Sequence, residues 1–257
     1  MGTSPPFGSP PTHVLRLRNV PSDRRAAASS VNETSAELLS LAAHEFRTPV
    51  SVACGYLRML LNETESPVSE RQRRMLEEAD KACGRLAAIV AELGEITKLD
   101  EGTAAIARTS FDLFPALDDI AGRVDESRER DVQLQLSGDA AGAAMTGDLP
   151  RLQQAFTAVF QAVLREQPAG ARVAVNRSLI SLGPYTSALV IVAREDDVER
   201  ACTSMPVTFS EYRGGMGLAL PIARRVFERH GGRIWCTDAA AAGGPIVVSV
   251  RLQGPDR

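Results

Sequence analysis

The sequence predicts an α+β protein: a two-helix hairpin, followed by an α/β domain with its helices laid on one face of a mixed or antiparallel sheet. Three observations carry this. Apolar residues recur at three- and four-residue intervals over two long stretches, a short polar segment separates them, and past Gly102 the pattern changes to alternating strand and helix signals.

The first seam is Leu39, Ala42, Phe46, Pro49, Ala53, Tyr56 and Leu60, a heptad pattern. Residues 62–69, with Glu65-Ser66-Pro67, read as a turn. The second seam is Met75, Ala79, Ala82, Leu86, Ile89, Leu93 and Ile96. A hairpin of two such helices cannot cover both stripes by itself, so a homodimer forming a four-helix bundle is expected. Farther on, 111–130, 148–166 and 218–230 read as helices, and 132–136, 172–180, 187–193, 233–237 and 246–252 as strands. Residues 1–30, rich in Pro, Ser, Ala and Arg without a period, read as a flexible tail. The expected division is 1–30 tail, 31–101 hairpin and 106–253 α/β domain, with no internal repeat.

Composition narrows the function classes. The 257 residues carry 29 Lys and Arg against 32 Asp and Glu, a net charge of −3, and 44% hydrophobic residues, an ordinary globular balance. This charge gives no basic footprint for nucleic acid, and 5% aromatics leave little for base stacking. The longest uncharged stretch, 178–193, is broken by Gly183-Pro184 and is shorter than the ~20 apolar residues of a spanning helix. No membrane insertion is expected. The Gly/Ser/Pro-rich start lacks the pattern of a secretory signal, so a cytoplasmic location is expected. Cys54, Cys83, Cys202 and Cys236 make no C-x-x-C pair and read as buried small apolar residues without a disulfide. His13, His44 and His230 have no second ligand at metal spacing, so no metal site is expected.

His44 lies two positions beyond Ala42 and two before Phe46, which turns its imidazole away from the bundle axis and into solvent. Arg47 and Thr48, three and four residues later, share its face. Pro49 removes a backbone donor and crowds the carbonyl of Glu45, which predicts a kink beside His44. An imidazole with a neighbouring carboxylate is a sensible nucleophile: Glu45 holds one ring N–H and the other nitrogen attacks. Thr48 also has a structural reading, a hydrogen bond back to a carbonyl one turn earlier.

The string His44-Glu45-Phe46-Arg47-Thr48-Pro49 closely resembles the H-box of sensor histidine kinases. Ser110-Phe111-Asp112-Leu113 is similar to the start of that family's ATP-binding domain, Gly147-Asp148 through Arg151-Leu152 to the start of its N-box helix, and His230-Gly231-Gly232-Arg233-Ile234 to its last helix-to-strand turn. The resemblance covers about residues 30 to 252. It implies a dimerising phosphoacceptor bundle and an α/β sandwich of the histidine kinase ATPase-like type. It makes His44 the phosphoacceptor, Glu45 its acid/base partner and Thr48 the hydroxyl that helps place water during dephosphorylation, with Arg47 the basic group beside them.

The nucleotide motifs depart from the family pattern. Ala158 and Ala162 stand where the N-box carries asparagines, and a methyl group cannot ligate Mg²⁺. Arg165 keeps the basic N-box position. After the strand at 189–192, Ala193-Arg194-Glu195-Asp196-Asp197 replaces the family's Asp-x-Gly-x-Gly and reads as a solvated charged turn. Phe209-Ser210-Glu211-Tyr212-Arg213 resembles the F-box. Gly214-Gly215-Met216-Gly217-Leu218-Ala219-Leu220 resembles the phosphate-facing glycine loop, and Arg165, Gly215 and Gly217 are the residual nucleotide-binding candidates. The segment between Arg194 and Gly214 is short for an ATP lid.

The leading expectation is a phosphorelay protein whose His44 passes phosphoryl groups to or from the receiver aspartate of a response regulator, with weak or no use of Mg-ATP. An active ATP-dependent autokinase/phosphatase and a non-catalytic dimeric scaffold stay open. Expected partners are a second copy, a receiver domain and an upstream sensor kinase.

Overall fold

The computed structural model describes residues 22–63, 68–124, 130–182, 185–237 and 244–252. Its hairpin is formed by α1 (Ser22–Leu61) and α2 (Glu70–Glu101). α1 starts at Ser22 rather than near residue 31, because Arg24–Ser29 contains good helix formers and nothing that breaks the ladder. The rest of the expected tail, 1–21, lies outside the described residues, as do 64–67 of the expected turn and the side chain of Leu39. The helix continues through Pro49.

α2 has defined ends. The Ser69 side chain accepts from the Gln72 N–H, and the Ser69 N–H donates to Gln72 Oε1 at 3.0 Å, a reciprocal cap. At the far end Gly102 sits at φ 76°, a left-handed stop that glycine adopts without strain.

The two helices meet along a different stripe from the heptad seam. Ala43, Cys54, Cys83 and Val90 are buried, with Val50, Leu57 and Leu76 half-buried beside them. Phe46, Tyr56, Leu60, Met75, Leu86 and Ile89 of the seam remain exposed.

Cys54 and Cys83 form a disulfide across this contact, with Cα atoms 5.7 Å apart. The expectation of unpaired cysteines is thus corrected. The pairing is long-range, set by the level at which two antiparallel helices face each other, and no local spacing encodes it. Cys202 is exposed rather than buried, and Cys236 is buried as expected.

The second part of the chain contains β1 (Thr109–Asp112), α3 (Leu113–Arg123), β2 (Gln133–Gly138), β3 (Ala144–Gly147) and α4 (Leu149–Glu166). After these come β4 (Arg172–Leu182), β5 (Tyr185–Arg194), α5 (Val198–Thr203), α6 (Ala219–Arg229), β6 (Arg233–Cys236) and β7 (Ile246–Arg251). The main sheet has five strands in the order β2-β4-β5-β7-β6. β2 and β4 are parallel and the other pairs antiparallel, the mixed sheet expected. β1 and β3, which pair separately, and α5 are additions to the predicted elements. The helix expected over 111–130 splits at its start: Thr109–Asp112 is strand, and Asp112 caps α3 by accepting from the Phe114 N–H at 3.0 Å. Residues 125–129 of that expectation lie outside the described part.

α3, α4 and α6 bury their apolar faces in one core with the inward residues of β4, β5 and β7. Phe156 at its centre is fully buried, 4.9 Å from the Phe227 ring edge-to-face and 6.2 Å from Phe160. Alternation along β5 sends Val190 and Val192 into this core and Ile191 and Ala193 to the opposite face, where Val198 and Ala201 of α5 pack. Phe156→Ala is expected to cost about 3–5 kcal/mol, since it leaves a void between α4 and α6 that neither rigid helix can fill; urea denaturation followed by far-UV circular dichroism measures it.

Candidate functional site

His44, Glu45, Arg47 and Thr48 are all exposed on α1, as are Phe46 and Pro49 of the seam, so exposure here is not confined to the face predicted from spacing. The Thr48 hydroxyl makes no hydrogen bond among the described residues. Arg47 extends to α2: its Nη2 lies 3.3 Å from where a Cβ at Gly94 would stand, so the bare glycine backbone gives the guanidinium room.

The hairpin joins the α/β domain through charged contacts that motif reading did not locate. Arg225 on α6 grips Asp100 of α2 with two hydrogen bonds, 2.7 and 2.9 Å. Burial opposes the Arg225 charge, but the hydrogen bonds and attraction to Asp100 outweigh it and hold the guanidinium above its usual range. Arg151 on α4 pairs with Glu95 of α2. Asp148, the cap of α4, accepts from the Ala107 N–H (2.9 Å) and the Arg151 N–H (3.1 Å), and its own N–H donates to His230 Nε2 at 2.9 Å. Because Nε2 accepts, His230 carries its proton on Nδ1, which donates to the Val226 carbonyl at 2.7 Å. The motif residues at 147–151 and 230 thus hold one joint. A cavity of about 830 Å³ lies between the two parts, walled by Glu92 and Glu95 from the hairpin and by Asp148, Arg151, Ala158 and Ile222.

The nucleotide candidates are arranged differently from a phosphate cradle. Ala158 and Ala162 are buried in the core, at 5% and 0% exposure. Gly214 (φ 59°) rests directly on α4: a Cβ there would lie 2.8 Å from Ala162 Cα. Arg165 points Nη1 at the carbonyl oxygens of Gly214 (3.5 Å) and Gly215 (3.4 Å), a guanidinium turned to backbone acceptors. Gly217 also has positive φ, at 59°.

Glu166 fastens this loop, pairing with the Arg213 guanidinium and accepting from the Gly214 N–H at 3.1 Å. Arg213 also donates to the Gly244 carbonyl at 2.7 Å. Burial works against its charge, and the hydrogen bonds and charge of Glu166, together with Cys236, more than compensate, so its pKa lies above the usual guanidinium range. This latch escaped sequence reading because its partners stand 47 residues apart.

Glu195 and Asp196 are exposed on a short 3-10 turn, with Arg172 3.9 Å from Glu195, the solvated charged turn expected. Instead of covering the glycine loop, the segment after it forms α5 on the opposite sheet face and then pairs Val207 with Cys236 at the β6 edge. The Ala158 and Ala162 side chains offer no oxygen to a Mg²⁺ ion, and the glycine loop is held by Arg165 and Glu166.

The site is thus an exposed histidine on a helical hairpin, joined to a mixed-sheet domain with an ATPase-like fold. Residues 34–102 match the His Kinase A (phospho-acceptor) domain. The swarming motility regulation sensor protein RssA of Serratia marcescens is 25% identical over 222 residues, covering 83% of this chain and 45% of that protein. The sensor protein GacS of Pseudomonas syringae pv. syringae is 24% identical over 254 residues, covering 93% of this chain and 27% of GacS. The signal transduction histidine-protein kinase BaeS of Escherichia coli (strain K12) is 24% identical, covering 95% of this chain and 53% of BaeS. The chain thus spans between about a quarter and about half of these relatives' lengths. Full-length ShkA in complex with AMPPNP has a similar fold, with TM-score 0.63 and 18% identity over 85% of this chain and 46% of that one. Residues 34–102 thus match a phospho-acceptor domain, and over most of its length the chain is similar to sensor histidine kinases. Among the described residues no helix is long and apolar enough to cross a membrane, and no group of three or more His, Cys, Asp or Glu could hold a metal.

Glu166→Ala is expected to lower stability by about 2–4 kcal/mol, because Arg213, whose side chain is 11% exposed, loses its counter-charge. Glu166→Gln, keeping an acceptor for the Gly214 N–H, is expected to lose less; thermal melts of the two variants rank them.

Proposed function

We propose that this protein is a phosphorelay member of the sensor histidine kinase family: His44 exchanges a phosphoryl group with the receiver aspartate of a response regulator, and the ATPase-like domain serves structure and docking with little or no use of ATP. The observation that carries the reading is the contrast between the two sites. The H-box is intact and open to solvent, whereas the glycine loop is seated on Ala162 and fastened by Glu166 and Arg213.

Transfer asks for a positioned nucleophile and little else. The lone pair of one imidazole nitrogen attacks the phosphorus of the receiver's aspartyl phosphate, the P–O bond to the aspartate breaks, and the carboxylate leaves. Glu45 steadies the other ring N–H, Arg47 offers positive charge to the phosphoryl oxygens, and Thr48 on the same face can place a water for the hydrolytic step. No step needs an asparagine at 158 or 162.

The chain acts as a homodimer in this reading. Phe46, Tyr56, Met75 and Leu86 are 53–65% exposed on the hairpin, and a second copy that covers them completes a four-helix bundle. An upstream sensor kinase supplies the signal.

The test is transfer from aspartate-labelled receiver domains, beside incubation with γ-labelled Mg-ATP, using wild type and His44→Gln. Expected is acid-labile, base-stable label on the wild type from a receiver, none on the variant, and none from ATP. ATP label that His44→Gln abolishes makes the protein an autokinase. Absence of transfer from every receiver leaves a scaffold.

A further inference from the structure

Two sulfur atoms sit in the hairpin where no step above uses them. Cys54 and Cys83 are joined across α1 and α2, each 7% exposed, with Cα atoms at a spacing a bridge accepts. They occupy the middle of the helix–helix contact, flanked by Val50 and Leu57 on α1 and Leu76 and Val90 on α2. The other cysteines differ. Cys202 is exposed and unpaired, its thiol pushed up by partial burial and by Glu199, and Cys236 is buried against Arg213.

The contact accommodates the reduced pair as well. Cys83 Sγ lies 3.6 Å from the Val50 carbonyl oxygen, which accepts from the thiol once a proton is present. Val50 follows Pro49, whose nitrogen donates nothing, so the Glu45 carbonyl lacks its helix partner. Both redox states therefore fit at the place where the α1 ladder is weakest. His44 is on the other side of that gap, about 15 Å along the helix from Cys54 at 1.5 Å per residue.

We infer that Cys54 and Cys83 are a reversible oxidation site, whose bridge clamps α1 to α2 and stiffens the helix that carries His44. Its effect on phosphoryl transfer rests on the reading of His44 given above. The oxidant is of the peroxide class, small enough to reach a nearly buried sulfur. One cysteine thiolate attacks a peroxide oxygen, the O–O bond breaks, and the departing hydroxide takes up a proton as water, leaving a sulfenic acid. The second sulfur attacks the first, the S–O bond breaks, and hydroxide leaves with the remaining thiol proton as a second water. Two electrons pass from the sulfurs to the peroxide. A dithiol reverses the change by exchange, returning two protons to Cys54 and Cys83 and becoming a disulfide itself.

The experiment uses the full chain carrying Cys202→Ser, treated with hydrogen peroxide or with dithiothreitol, alkylated and digested for mass spectrometry. Peroxide is expected to give a linked peptide joining Cys54 and Cys83. It is also expected to raise Tm by about 5–10 °C over the reduced form and to slow amide exchange several-fold over residues 50–57. Adding Cys83→Ser should remove all three differences. Equal alkylation of Cys54 and Cys83 after both treatments overturns the site, and a linked peptide without a change in melting or exchange overturns the clamp. Bridged protein is expected to accept phosphoryl groups from a labelled receiver at least about threefold more slowly than reduced protein, and equal rates overturn the regulatory part. If neither form accepts label, the His44 reading fails, and the peptide, melting and exchange results still decide the clamp.

Discussion

The buried carboxylate of Asp148 is the contact through which the hairpin, α4 and α6 are set relative to one another. It takes hydrogen bonds from the chain leaving the hairpin and from the first turn of α4, while its own amide is held by His230 at the end of α6. Arg151, also 3.3 Å from the Asp148 carboxylate, carries the connection back to Glu95 on α2. The short chain between α2 and β1 is held near its far end by the bond from Ala107 to this residue, and at its start by the Ala104 N–H on the Lys98 carbonyl.

From that joint the two parts diverge chemically. The hairpin presents polar and apolar side chains outward, including the histidine and a row of large apolar groups that a single chain leaves uncovered. The sandwich turns inward: alanines at 158 and 162 let α4 sink into the core, and the glycine loop closes on them. Glycine at 214 is required by both its positive φ and the absence of space for a Cβ, so here the residue serves close helix packing, as well as any memory of a phosphate cradle.

Much of this was legible in the sequence. The 3.5-residue period located both hairpin helices, and its interruption located the break between the end of α1 at Leu61 and the start of α2 at Glu70. Alternation and β-branched residues marked the main-sheet strands. What escaped was non-local. β1 and β3 are four-residue strands that exist by pairing with each other, too short to show a period. α5 has six residues and depends on the sheet face beneath it. The Glu166–Arg213 latch and the Cys54–Cys83 bridge join positions far apart in the chain, and each residue alone is unremarkable. The heptad seam was correctly seen as apolar, but the intrachain contact uses the neighbouring stripe, a choice made by two whole helices rather than by any one spacing.

The pairing of Val207 with Cys236 has a consequence for how the chain behaves among its own copies. β6 is the last strand of the sheet, and an unpaired strand edge is a template on which other chains can add. Two hydrogen bonds, 2.7 and 3.2 Å, between the Val207 and Cys236 backbones cap the end of that edge. The opposite edge, β2, carries Gln133, Gln135 and Ser137 on its exposed side. The β6 border of the sheet is thus shortened as a template by backbone pairing, while the outermost strand at the other border carries polar side chains on one face.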